Sequence, residues 1–229
     1  MGTALAALSG VLLLAGCGGG AGQLESAGAT PTAVGPVELW PELPPISAPP
    51  VDYGESDTTR VPGIRVPEGD VRSLDPIAVV QAEVAAHPEE VTGAEGLYPE
   101  TAGQIRACTS KPGTCPVLRP YYRDLTGDGK DELVVAITMP EQRTAIRAYM
   151  PENGGLTRIM SDSDAVVRVD VAGKDLIIRA VSAGIPGYEY RTVWSWDARQ
   201  RAMLPARDEI IRIKPSAPAT PTPSAEAAR

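Results

Sequence analysis

The sequence predicts a mainly β (α+β) fold, with a single antiparallel β-meander domain, one N-terminal helix and disordered flanking segments. Three observations support this class. Short apolar segments separated by turn-forming residues fill the second half of the chain, a proline-initiated helix pattern precedes them, and both ends are rich in Pro, Ala, Gly and Ser. Hydrophobic residues make up 43% of the chain and aromatic residues 4%, with no Phe, so we expect one modest aliphatic core.

The meander is predicted from the turn signals that separate its apolar segments. Asn153-Gly154 and Pro186-Gly187 are typical of turns between antiparallel strands. Alternation in the sequence places Val167, Val169 and Val171 on one face of a strand, so the opposite face of the sheet is expected to be solvated. The predicted strands are residues 117–123, 133–138, 144–150, 156–160, 165–171, 176–181 and 190–196, with a last strand at 209–213.

The helix is predicted from the residues at its two ends. Asp75 is an N-cap candidate and Pro76 suits the first helical turn. The helix should end at His87, because Pro88 cannot continue it. The chain's single His is therefore interpreted as a helix-end residue rather than a catalytic one. The apolar face of the helix contains Ile77, Val80 and Val84.

An N-terminal apolar run is predicted to be the hydrophobic region of a signal peptide over residues 1–16. The run is too short for a transmembrane helix, which needs about 20 residues. It ends at Leu14-Ala15-Gly16-Cys17, which resembles the bacterial lipobox. The resemblance implies that Cys17 is diacylated and that the protein is extracytoplasmic, anchored to the cell membrane by this lipid. An ordinary cleaved signal with a free cysteine is the alternative, and residues 1–16 lack the Lys or Arg of a usual signal peptide.

Composition divides the rest of the chain into three segments. Residues 17–73 are predicted to be a lipidated, disordered Pro/Gly-rich tether, residues 74–214 a β-rich globular domain, and residues 215–229 a disordered Pro/Ala tail. Within the tether, residues 37–40 have two interpretations. The composition favours a mobile segment, and the alternative is an ordered arm that docks on the domain.

The two remaining cysteines are predicted to form a disulfide. Cys108 and Cys115 flank a Pro112-Gly113 turn that can bring them together, and a disulfide persists outside the membrane. The loop is short, so the bond should contribute about 2 to 3 kcal/mol. A zinc site is the weaker interpretation, because there is no second Cys pair and only one His.

Charge and motifs exclude several classes of function. The net charge of −8 and a pI of about 4.8 leave no basic field for nucleic acid. No nucleophile elbow, P-loop, zinc-protease or Ser-x-x-Lys motif occurs, so we expect no enzymatic activity. The carboxylate pairs Glu89-Glu90 and Asp162/Asp164 are interpreted as solvated charges. Trp194 and Trp196 share one strand face and are interpreted as core residues, with a glycan platform as the alternative.

An Asp-rich loop is the sharpest motif of the chain. Oxygen-bearing residues alternate at Asp124, Thr126 and Asp128, followed by the Lys130 carbonyl and Glu132, in the spacing that lets a tight loop direct oxygens at a hard cation. The stretch resembles the loops of FG-GAP and VCBS-like β repeats. That resemblance implies that these five residues bind a structural calcium ion. The loop departs from the family pattern in two ways. Its third position is the neutral Thr126, and the motif occurs once in the chain. A metal-free turn, in which the aspartates accept backbone N–H bonds, is the alternative.

The order of these features resembles actinobacterial envelope lipoproteins, in particular the CseA-like accessory lipoproteins. The residues that carry the resemblance are 75–87 and 121–137, together with the lipobox, the tether and the tail. The resemblance implies a negative modulator of envelope-stress signalling that acts on the extracytoplasmic domain of a sensor histidine kinase. A surface lipoprotein that binds cell wall or glycan is the alternative function.

Overall fold

The computed structural model describes residues 35–44, 58–93 and 96–213, and two antiparallel five-stranded sheets form most of that part. The first sheet has the order β2-β6-β5-β4-β3 and the second β1-β7-β8-β9-β10. The strands are β1 (Val37–Glu38), β2 (Thr59–Val61), β3 (Tyr121–Arg123), β4 (Glu132–Thr138), β5 (Thr144–Glu152), β6 (Gly155–Asp164), β7 (Val166–Ala172), β8 (Asp175–Val181), β9 (Tyr188–Asp197) and β10 (Ala202–Arg212). The predicted mainly β class is confirmed. The predicted signal peptide, Cys17 and the predicted tail lie outside the described residues.

The meander is divided between two sheets that pack face to face. In each sheet four successive strands follow one another, and a short strand from the N-terminal part of the chain pairs with the first or last of them. One hydrophobic cluster lies between the sheets and contains Val134 and Ile146 from the first and Leu176 and Trp194 from the second. A single sheet with one solvated face was expected, and the structure instead covers both faces of the first sheet.

The second cover of the first sheet is a helical layer. Helices α1 (Pro76–Ala86) and α2 (Pro99–Ala107) pack on it in a second hydrophobic cluster. Strand β4 shows the effect on sequence, because Val134 faces the other sheet while Leu133 and Val135 face the helices. This explains why the strand reads as a continuous apolar run rather than an alternating one.

The helix end signals are confirmed for α1. The Asp75 carboxylate accepts a hydrogen bond from the Ile77 N–H at 2.9 Å, and the helix ends at His87. Helix α2 was missed, since it is nine residues long and contains Gly103, which weakens a helical pattern. The face assigned to β7 also differs, because a β-bulge between Val166 and Arg168 turns Val167 away from the core.

Two parts of the predicted tether are packed on the domain. The strand β1 pairs with β7, and the adjoining Leu39 and Trp40 are buried in the cluster between the sheets. The Trp40 ring meets the Tyr121 ring edge-on, with 5.2 Å between centroids, and its Nε1 donates to the Arg119 carbonyl at 3.2 Å. Residues 58–73 likewise contribute β2 and buried valines. The ordered arm is therefore the correct interpretation of residues 37–40, because burying a Trp offsets the cost of ordering the chain.

The predicted disulfide is present. Cys108, the C-cap of α2, is bonded to Cys115 across a short 3₁₀ turn at Pro112–Thr114. Cys108 is buried, so the bond fixes the end of α2 close to the start of the strand region. No helix in the described ranges has the length and apolar character needed to cross a membrane.

A buried ionic cluster joins α1 to the first sheet. Glu83 of α1 is only 2% exposed, and one of its carboxylate oxygens accepts from Arg158 Nη1 at 2.7 Å and from Arg147 Nε at 3.3 Å. The other oxygen accepts from the Tyr149 hydroxyl. Arg158 also binds Glu90 through both of its terminal nitrogens, at 2.6 and 2.8 Å. Two carboxylates therefore offset two guanidinium groups inside the protein.

The electrostatics of this cluster follow from burial and pairing. Burial lowers the pKa of Arg158, but the bonds to Glu90 and Glu83 outweigh it and hold this pKa above its usual value. Burial, together with the Glu83 charge, raises the pKa of Tyr149 well above its usual range, so the hydroxyl remains a donor. The cluster is stable as a unit, because removal of one partner leaves the others buried without compensation.

We expect Glu83→Ala to reduce the free energy of unfolding by about 3 kcal/mol, because it leaves Arg147 and Tyr149 without their buried acceptor. Urea denaturation followed by circular dichroism measures the change. Glu89→Ala is the matched control, since Glu89 is an exposed carboxylate six positions along the chain and should change stability by no more than about 0.5 kcal/mol. Equal losses in both variants would contradict a special role for Glu83.

Candidate functional site

The Asp-rich loop joins β3 to β4, as its sequence predicts. It begins at Asp124, directly after β3, and ends at Glu132, the first residue of β4. Gly127 and Gly129 adopt φ angles of 82° and 85°, in the left-handed region that glycine occupies at little cost. These two glycines let the loop turn sharply enough to bring its carboxylates inward.

Asp124 and Asp128 accept hydrogen bonds from the backbone of the loop itself. One Asp124 oxygen accepts from the Gly127 N–H at 2.6 Å and the other from the Gly129 N–H at 3.2 Å. Asp128 accepts from the Lys130 N–H at 2.8 Å. These are Asx-type bonds, which hold a turn without any ion.

Glu132 is the buried anchor of the loop. It is 0% exposed, and one carboxylate oxygen accepts from the Leu125 N–H at 2.6 Å and the Thr126 N–H at 3.1 Å. Burial raises the pKa of Glu132 to about 7, although the two N–H donors oppose the shift, and the charges of Asp128 and Asp124 add to it. The side chain therefore carries a proton for part of the time near neutral pH.

The five predicted calcium ligands all lie in this one loop. They are Asp124, Thr126, Asp128, Lys130 and Glu132. Each of the three carboxylates accepts at least one backbone N–H bond, which is the pattern of the metal-free turn. Among the described residues no group of three or more His, Cys, Asp or Glu side chains is arranged to hold a metal ion. Calcium binding stays a prediction, and it requires the loop to exchange N–H bonds for an ion.

A groove of about 530 Å³ lies beside the loop. Arg72 forms one wall, where its Nε donates to Asp131 at 2.7 Å and its guanidinium lies 4.7 Å from the Tyr122 ring centroid. Arg123 forms another, and its Nε donates to the Gly173 carbonyl at 2.8 Å. The full lining is Arg72, Tyr122, Arg123, Asp124, Asp131, Gly173 and Lys174.

The charge of the groove is opposite in sign to that of the chain. Three cationic side chains line it, Arg72, Arg123 and Lys174, against two carboxylates, whereas the whole chain carries −8. Sequence reasoning missed this site because its cations come from three separate segments. No local pattern joins them, and only the neighbouring Asp-rich loop marked the place.

The other candidate residues lie elsewhere and differ in role. His87 caps α1, with its Nδ1 3.0 Å from a Glu89 oxygen. Trp194 is 2% exposed, so it is a core residue, and Trp196 packs partly buried against the same cluster. The platform that two exposed Trp side chains would offer to a glycan is not formed by this pair.

The interpretation of two carboxylate pairs as solvated charges is wrong for three of the four residues. Asp162 and Asp164 are buried in β6, where each accepts from the next residue's N–H. Burial raises the pKa of Asp162 to about 6, against the opposing effect of that N–H bond and of nearby arginines. Glu90 binds Arg158, and Glu89 is the one member of the two pairs that is exposed. The sequence did not predict that these carboxylates are buried, because a polar residue in a strand normally faces water.

If the loop binds calcium, we expect millimolar calcium to raise the melting temperature of the full chain relative to a chelator. The stabilisation is RT ln(1 + [L]/Kd), about 2.7 kcal/mol at one hundred times Kd. Asp128→Ala should abolish most of the gain and leave the domain folded. Asp131→Ala is the matched control, because this neighbouring carboxylate is not among the predicted ligands. An unchanged melting temperature of the natural sequence would establish the metal-free turn.

Comparisons with protein-family models, with curated proteins and with solved structures found no match to this chain.

Proposed function

We propose that the chain is a non-enzymatic lipoprotein, anchored to the cell membrane through Cys17, that binds a protein partner in the groove beside the Asp-rich loop. The partner is the extracytoplasmic domain of a sensor histidine kinase, and binding negatively modulates envelope-stress signalling. The resemblance of the sequence to CseA-like accessory lipoproteins supports the signalling role. The groove supports the binding role.

The composition of the groove is the observation that carries the proposal. Tyr and Arg are enriched in protein–protein interfaces, and the groove places Tyr122 under Arg72 with Arg123 close by. Small-molecule pockets are lined mainly by apolar side chains, whereas this lining is mainly charged. A polar, acidic segment of a protein partner fits these groups better than an apolar ligand does.

The walls of the groove are already held in place by contacts within the domain. The Arg72–Asp131 ion pair and the Arg123–Gly173 hydrogen bond orient two cationic side chains in the absence of a partner. A preorganised site loses less side-chain freedom on binding and so retains more of its interaction free energy. Lys174 is exposed at the rim, where its charge attracts an acidic partner and speeds association.

The glycan-binding alternative is less well supported. It depended on an exposed Trp194 and Trp196, and Trp194 is buried in the core. It remains an outcome of the experiment below, because cell-wall polymer is present at the membrane surface where the lipid would hold the domain.

We expect Lys174→Glu to reduce crosslinking of the membrane-anchored chain to the sensor kinase by at least about tenfold, or 1.4 kcal/mol, because it places a carboxylate against an acidic partner. The crosslinked complex is purified through the lipoprotein and its components are identified by mass spectrometry. Arg199→Glu is the matched control, since it makes the same charge change on an exposed turn between β9 and β10.

The same experiment separates the anchor from the groove. A Cys17→Ser chain cannot be acylated and is expected in the soluble fraction, with its groove intact. Recovery of glycan without kinase would favour the alternative function. Equal kinase recovery from the Lys174→Glu and Arg199→Glu chains would refute the groove as the binding site.

A further inference from the structure

The strand β10 lies at the edge of the second sheet and offers a free hydrogen-bonding side. It pairs with β9 alone among the described strands. The ladder continues past its end, where the Ile213 N–H donates to the Gly187 carbonyl at 2.9 Å. Because antiparallel ladders alternate, residues 207, 209, 211 and 213 direct their backbone groups to β9. Asp208, Ile210 and Arg212 therefore direct their N–H and C=O groups away from the sheet.

Only the second half of β10 is open to pairing. Pro205 lacks an N–H, and a bulge between Pro205 and Arg207 interrupts the register, two devices that protect edge strands. Residues 207–213 contain neither a proline nor a bulge, and their exposed side chains are mostly charged. Ile210 is 52% exposed, so an apolar side chain lies at this edge, and Ile213 is exposed on the opposite face of the strand.

The free edge is complementary to itself. If a second copy pairs antiparallel about a two-fold axis at Ile210, each Ile210 faces its counterpart, and each Asp208 faces Arg212 of the other copy. The residues that meet are those whose backbone groups point outward, so side chains and hydrogen bonds agree in register. If the register slipped by two residues, the two-fold axis would lie at Glu209. The Glu209 carboxylates of the two copies would then face each other.

The charges at the edge are free to pair in this way. Glu209, on the opposite face of the strand, is already bound by Arg191 at 2.9 Å. Asp208 and Arg212 are exposed and form no ion pair with another described residue. Two ion pairs and a central Ile–Ile contact would therefore form without breaking any contact within a protomer.

We propose that residues 207–213 of β10 pair antiparallel with the same residues of a second copy of this chain, joining two sheets into one across a two-fold axis. The interface is isologous, so it closes after two copies. It does not depend on the groove or on the signalling partner.

Sedimentation velocity of the full chain in detergent, across a concentration series, tests the pairing by charge exchange. The natural sequence should form dimers. Asp208→Arg or Arg212→Asp alone should raise the dimer Kd by at least about tenfold, because each substitution creates two like-charge contacts. An equimolar mixture of the two variants should dimerise again, since one copy then carries both cations and the other both carboxylates.

Glu68→Arg is the control, because Glu68 is exposed, lies far from β10 in the sequence and undergoes the same charge change as Asp208→Arg. It should leave the dimer unchanged. A natural chain that stays monomeric at its highest soluble concentration would overturn the proposal. So would dimers that persist unchanged in both single variants.

Oxidative crosslinking of single-cysteine substitutions tests the register itself. Ile210→Cys should crosslink to its own copy, because directly paired residues lie about 5.5 Å apart between Cα atoms, within disulfide range. Glu209→Cys and Ile211→Cys should crosslink to each other when mixed and only weakly to themselves. Self-crosslinking of Glu209→Cys in preference to Ile210→Cys would contradict the two-fold axis at Ile210.

Discussion

The rest of the structure depends on the ion pairs that the buried Glu83 carboxylate forms beneath α1. This carboxylate compensates Arg147 and Arg158, which rise from the first sheet into a layer that water does not reach. An 11-residue helix is only marginally stable by itself in water, so α1 forms together with the first sheet. The arginines of that sheet neutralise the Glu83 carboxylate of the helix. Because a buried charge without a partner costs several kcal/mol, the cluster also fixes where along the sheet the helix lies.

This constraint makes the first sheet the middle layer of the domain. Its helix-facing side holds the ionic cluster, and its other side packs on the second sheet, so the strands are buried on both faces. The first sheet consequently offers binding groups only in its loops and at its strand edges. The groove forms at such a place, where the Asp-rich loop after β3 meets the turn between β7 and β8 and the segment before α1. The free edge of β10 is a second such place.

Local signals were enough to predict β4 to β9, the disulfide and the ends of α1, since Asp75 and Pro76 act on neighbouring residues. They missed β1 and β2, and they placed the start of the last strand at 209 whereas β10 begins at Ala202. Long-range pairing was not predictable from one sequence. Glu83 and Arg158 are separated by 75 positions, and each resembles a solvated charge until the helix covers the sheet. Trp40 was placed in a tether by the prolines around it, and only the cluster between the sheets shows what it packs against. The loop of the candidate site was recognised by its spacing, whereas the cations of the groove were not, because they converge from distant segments.

The groove beside the Asp-rich loop is the surface that we propose a partner occupies. Hydrogen–deuterium exchange of the anchored protein, with and without the purified extracytoplasmic domain of the sensor kinase, tests it most directly. We expect slower exchange in the three segments around Arg72, Arg123 and Lys174, with little change in α1, whose amides are already protected by the helix. Unchanged exchange in those three segments, or protection confined to β10, would contradict it.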